Sequence, residues 1–181
     1  LLFIVGLWGC GDFGDMNVNP NSPESIENSP ELLLTGLQRD VVSQVITGCS
    51  WSEGNIMAQY FARIVYTDFD RFEWGQSTGT WNQMYTASRA TQTLYEMAEK
   101  TNNTSYQAVC LILKSWMFQI LTDVYGEVPY SEALQAKAGV FAPKYDTQEE
   151  IYKGILADLA TANTLLAVAN PPLIKGDIIN N

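Results

Sequence analysis

Leu121-Thr122-Asp123-Val124-Tyr125-Gly126-Glu127-Val128-Pro129-Tyr130-Ser131-Glu132-Ala133-Leu134 is the stretch on which the fold turns. Its first part closes an apolar run in which Tyr106, Val109, Leu113, Trp116, Met117, Ile120, Leu121 and Val124 recur at helical spacing. A helix is therefore expected up to Tyr125. Gly126 can take the left-handed conformation that ends such a helix. Pro129 then fixes the direction in which the chain leaves. The stretch reads as a helix end followed by a rigid turn, structural rather than chemical.

Upstream, Trp81, Met84, Tyr85, Ser88, Leu94 and Tyr95 form one helical face that runs to Lys100, and Asn102-Asn103-Thr104 makes the turn between the two helices. Nearer the N-terminus, Ser29-Pro30-Glu31 supplies an N-cap, a first-turn proline and an acid at the positive end of the helix dipole. Leu33, Leu37, Val41 and Val45 follow on one face, up to Gly48. A further helix is expected from Ser52-Glu53, with Met57, Tyr60, Phe61, Ile64 and Val65 together. Downstream of Pro143, a last helix begins in Asp146-Thr147-Gln148-Glu149-Glu150, where either Asp146 with Glu149 or Thr147 with Glu150 makes a capping box. Its apolar face is Ile151, Ile155, Leu159, Ala162 and Leu166, and Asn170-Pro171-Pro172 stops it. Helices without an alternating segment predict an all-α body of helical hairpins, in bundle or solenoid packing. No internal repeat at a fixed period supports the solenoid by itself.

The balance of 10 Lys and Arg against 20 Asp and Glu, net −10, leaves no basic stripe for phosphates, which excludes nucleic acid as a partner. With 46% hydrophobic residues the chain is not disordered. Residues 1–9 are apolar and uncharged, too short for a span of about 20 residues, and fit the tail of a signal peptide whose charged start is missing. Leu7-Trp8-Gly9-Cys10 then has the order that lipoprotein signal peptidase reads: a large apolar residue, a spacer, a small residue and Cys. Cys10 is therefore the expected lipidation site. Residues 10–28 carry acidic, Asn- and Pro-rich turns and read as a flexible tether. Residues 29–181 read as the N-terminal part of a longer helical domain. Cys49 and Cys110 lie on apolar-periodic segments as buried thiols, or as a bridge in an oxidising compartment.

Catalytic signals are sparse. The chain has no histidine, and neither metal-site cysteine spacing, phosphate loop nor nucleophile elbow is present. No catalytic residue, metal or cofactor is assigned. Asp68 and Asp70 could serve glycoside hydrolysis, which needs two acids at a set separation. Beside Arg71 they more simply make a salt-bridged or cation-binding turn.

Residues 66–80 break the helical periodicity and read as a long loop rich in aromatics and charge. Sugar rings stack on aromatic faces while carboxylates and amides accept or donate to hydroxyls. Tyr66, Asp68, Asp70, Arg71, Phe72, Trp74 and Gln76 have that mixed chemistry and are the candidate ligand-binding residues. The alternative is a loop that folds its rings under a neighbouring helix.

The stretch from Leu121 to Leu134 resembles the hallmark string of the SusD/RagB-like outer-membrane lipoproteins of Bacteroidetes. Asn17-Val18-Asn19-Pro20-Asn21-Ser22-Pro23, Leu32-Leu33-Leu34-Thr35-Gly36, Ala58-Gln59-Tyr60-Phe61-Ala62-Arg63 with Tyr66-Thr67-Asp68, and Tyr145-Asp146-Thr147-Gln148-Glu149-Glu150-Ile151-Tyr152 are similar to further family patterns, in order along the chain. The resemblance implies tetratricopeptide-like helix pairs and a cell-surface protein of the outer membrane, anchored by lipid at Cys10. It also implies a nutrient-binding role, for glycans or peptides, as the lid of a TonB-dependent barrel transporter, without enzymatic activity. A surface glycoside hydrolase and a scaffold lipoprotein that binds only protein are the competing classes. The resemblance carries over no ligand-binding residue.

Overall fold

The computed structural model describes residues 29–73, 75, 78–168 and 174–179, apart from the side chain of Ser52. The described residues are helical, with α1 (Pro30–Ser43), a wider π-helical continuation (Gln44–Gly54), α2 (Asn55–Met57), α3 (Thr78–Lys100), α4 (Thr104–Tyr125) and α5 (Gln148–Ala167). No strand occurs among them; Val128 and Asp146 form an isolated bridge. Successive long helices pack as neighbours, α1 on α3, α3 on α4 and α4 on α5. The contacts Ser88–Met117 and Ala98–Gln107, and Asp123–Tyr152 and Lys114–Asp158, show that both later pairs run antiparallel. This is the expected all-α array.

α4 lies between α3 and α5, and that position explains its composition. Ala108, Cys110, Leu113, Met117, Phe118 and Leu121 are all buried. A helix covered on opposite faces is apolar nearly all round. α4 is long and apolar enough to cross a membrane, yet its burial between two amphipathic helices accounts for it as a core helix. Leu34, Leu37 and Val41 from α1, Met84 and Leu94 from α3, and Ile151 and Ile155 from α5 complete one core. Each such side chain contributes about 1.5–3 kcal/mol by burial.

The ends of these helices follow local rules. Asn103 caps α4 by accepting from the Tyr106 N–H at 3.2 Å. Thr147 and Glu150 form the capping box of α5. Asp146 has another task, described below. Ser29 makes no side-chain cap bond, so α1 starts on Pro30 without the expected N-cap contact.

Four expectations fail. Gly48 does not close the first helix, which runs on through the π-helical segment to Met57. The helix expected from Ser52 onward ends at Met57, and Tyr60, Phe61, Ile64 and Val65 are exposed rather than core. α3 begins at Thr78, inside the expected loop. On α5, Leu159 and Leu166 are exposed, and the buried face is Ile151, Ile155 and Ala162. Cys49 and Cys110 are both free thiols. Burial pushes the Cys110 thiol up to about 12. Asn170-Pro171-Pro172, like residues 1–28, lies outside the described residues.

Candidate functional site

The hallmark stretch builds a staple, not a reaction centre. Gly126 ends α4 at φ 77, ψ −115, outside the left-handed helical region expected of it and in one that only glycine enters freely, and its N–H donates to the Thr122 carbonyl at 2.8 Å. The chain then turns so that Tyr85 donates its hydroxyl to the Pro129 carbonyl at 2.7 Å. The buried Asp146 carboxylate accepts the backbone N–H groups of Tyr130 (3.0 Å) and Ser131 (2.7 Å) and the Ser131 hydroxyl (2.8 Å). Lys144 Nζ sits 3.1 Å from it. Burial alone would raise the pKa of Asp146; the bonds from Ser131, Lys144 and Tyr130 outweigh it and hold the group at about 2. Tyr130 lies against α5 at Gly154, where a Cβ would collide with its ring.

The candidate binding loop is built quite differently. The described candidates are Tyr66, Asp68, Asp70, Arg71 and Phe72; Trp74 and Gln76 lie outside the described residues. Residues 67–73 form a single helical turn. The Glu73 N–H donates to the Asp68 carbonyl at 2.8 Å and the Phe72 N–H to the Phe69 carbonyl at 3.2 Å. That pair of bonds is a Schellman closure, which places Phe72 at the left-handed position, φ 57. Tyr66, on the other side of the turn, has φ 56. Bulky aromatic residues at positive φ are rare and cost about 1–2 kcal/mol each. Both rings point to solvent, Tyr66 at 80% and Phe72 at 53% exposure, so neither is folded under a helix.

The charges of the loop hold the turn. Arg71 donates to Asp68 at 3.2 Å and to Glu73 at 2.9 Å. Asp70 Oδ1 accepts the Arg63 N–H at 3.0 Å, while its Oδ2 is buried with no hydrogen-bond partner among the described residues. A buried acceptor left unmatched is costly. The Arg63 guanidinium stands 5.6 Å above the Phe69 ring. A depression of 300 Å³ beside the turn is lined by Glu53, Asp68, Phe69, Glu73 and Thr78.

Several surface groups on this side were not among the candidates. Glu73 was signalled by its spacing from Arg71. Glu53 approaches from a distant helix end, which no local pattern reveals. The Trp51 and Phe61 rings meet at 5.2 Å, tilted by 46°, both half exposed or more.

Comparison with known proteins places this geometry. The family described as SusD-like, starch-binding associating with outer membrane, matches residues 20–181. The chain belongs to the SusD-like family. Crystal structures of two SusD homologs from Bacteroides fragilis NCTC 9343 are similar to it. One superposes with a TM-score of 0.64 at 28% identity, the other with 0.63 at 30%, each over 83% of this chain. The chain spans 30% of the length of the first and 31% of the second. No curated protein matches it. The helical array around the Leu121–Leu134 stretch is thus the SusD-like frame, with the strained aromatic turn on its surface.

Proposed function

We propose that the protein is a surface lipoprotein, held in the outer membrane by lipid on Cys10, that captures a glycan and delivers it to a TonB-dependent barrel transporter without chemical turnover. The observation that carries this reading is the pair of exposed rings, Tyr66 and Phe72, held at positive φ on one turn. A fold does not retain strain and solvated aromatic surface without a gain elsewhere. Ring faces for sugar C–H groups stand next to Asp68, Arg71 and Glu73, which can bond hydroxyls.

The frame supports a binding role over hydrolysis. Asp68 is engaged by Arg71, and Asp70 fixes the backbone of Arg63. Each carboxylate has a holding function in the turn. A general acid and its partner would instead need to face a common bond.

Affinity isolation of the full-length protein from detergent-solubilised native membranes tests the role. A barrel transporter recovered in near-equal amount is the expected result, together with loss of membrane attachment in Cys10→Ser. Recovery of the lipidated protein alone would contradict delivery to a transporter.

A further inference from the structure

A groove separate from the aromatic turn runs between α3 and the connector that follows the Gly126 turn. Three adjoining cavities of 250, 350 and 330 Å³ make it up, and Gln92 and Leu134 line all three. Leu134 stands at φ 63, a conformation unusual for a branched side chain. The connector is fixed just before it by the Asp146 staple at Tyr130 and Ser131. The groove is therefore held open by the backbone rather than by a mobile side chain.

Its two ends differ in charge. At the inner end Lys114 is neutralised by Asp158 at 2.8 Å, and its ammonium lies 5.1 Å above the Tyr130 ring. At the outer end Arg89 and Lys137 line the 330 Å³ cavity, and neither forms an ion pair among the described residues. The Arg89 guanidinium donates only to the Thr86 hydroxyl, at 3.4 Å, while the Thr93 hydroxyl donates to the Arg89 carbonyl at 3.1 Å. Arg89 and Lys137 outnumber the single acid at this cavity, Glu96, in a chain with 20 acids and 10 bases. Between the ends lie the Gln92 amide, the Thr93 hydroxyl and the apolar surface of Leu134 and Ala136. Glu96, at the same cavity, is tied to Gln92 at 3.2 Å.

We infer that this groove is a second glycan site, specific for an acidic oligosaccharide whose carboxylate or sulfate sits between Arg89 and Lys137. The inference rests on the glycan-binding reading above. Leu134 and Ala136 supply a floor for the sugar's C–H face, Gln92 and Thr93 meet its hydroxyls, and the guanidinium binds the anion in bidentate fashion. Neutral glycans lack the group that the outer end selects.

Calorimetric titration of the full-length protein with trigalacturonate and, separately, neutral maltoheptaose tests it. Arg89→Ala/Lys137→Ala is expected to weaken trigalacturonate binding at least tenfold, with maltoheptaose binding and Tm unchanged. Arg89→Lys/Lys137→Arg should restore most of it, and raising the salt should weaken it. Tyr66→Ala/Phe72→Ala should do the reverse, impairing maltoheptaose alone. If wild type binds maltoheptaose but not trigalacturonate, the groove proposal falls and the glycan reading stands. Trigalacturonate binding lost through the ring variant rather than the groove variant overturns it equally. Binding of neither glycan contradicts both readings.

Discussion

The α3–α4 junction and the turn at residues 67–73 close by the same hydrogen-bond pattern and differ in what occupies its left-handed position. At the first, the Asn103 N–H donates to the Ala98 carbonyl and the Asn102 N–H to that of Glu99, with Asn102 at φ 53. Asparagine tolerates that conformation. At the second, Phe72 takes the same place and its ring stays in water. The α3–α4 junction carries a residue that suits the backbone. The surface turn carries one that does not, and its ring is half exposed. Stability and the proposed binding surface are thus separated in space, and substitutions should separate them too.

Core positions should show the largest effect. Phe118→Ala removes a fully buried ring that packs edge-on to both Tyr85 and Tyr130. A loss of about 3–5 kcal/mol is expected from chemical denaturation. An effect under 1 kcal/mol would mean that α4 is not the centre of the core.

Asp146→Ala should follow, at about 3 kcal/mol, because it removes the buried carboxylate that accepts the Tyr130 and Ser131 N–H groups and the Ser131 hydroxyl, and so releases the connector. The pH dependence has a definite sign. The folded pKa, about 2, lies below the ordinary value of 3.8, so the contribution is present above pH 4 and fades as pH falls toward 2. Acid titration of wild type and variant should therefore converge at low pH.

Gly126→Ala comes next, at about 1–2 kcal/mol. Nothing lies within 4 Å of the added Cβ, so the whole cost is the backbone conformation, φ 77 with ψ −115. On the surface turn the sign reverses. Phe72→Asn places a residue suited to φ 57 and should gain roughly 0.5–1 kcal/mol.

The same contrast explains what the sequence reveals. α3, α4 and α5 are legible because Asn103, the Thr147–Glu150 box and Gly126 are local signals that agree with the apolar period. The segment after Gly48 is not. Tyr60, Phe61, Ile64 and Val65 follow a helical period, yet the helix closes before them through a Schellman pair. The Tyr60 N–H donates to the Asn55 carbonyl and the Gln59 N–H to that of Ile56, with Gln59 at φ 60. Glutamine gives no warning of that conformation, whereas glycine or asparagine would have. The candidate loop was legible as chemistry, through rings beside acids and Arg71. Its strain was not, because Tyr66 and Phe72 are residues a sequence reader expects at negative φ. The polar groove was missed because Arg89 and Lys137 lie 48 residues apart and meet only through the turn at Gly126.

The most direct test of the central claim is a paired measurement on Phe72→Asn in the full-length protein: denaturant stability and affinity for maltoheptaose. The account predicts that stability rises while affinity falls at least fivefold. A variant that loses stability, or that gains it while binding as wild type does, would show that the strained ring is not held there for a ligand.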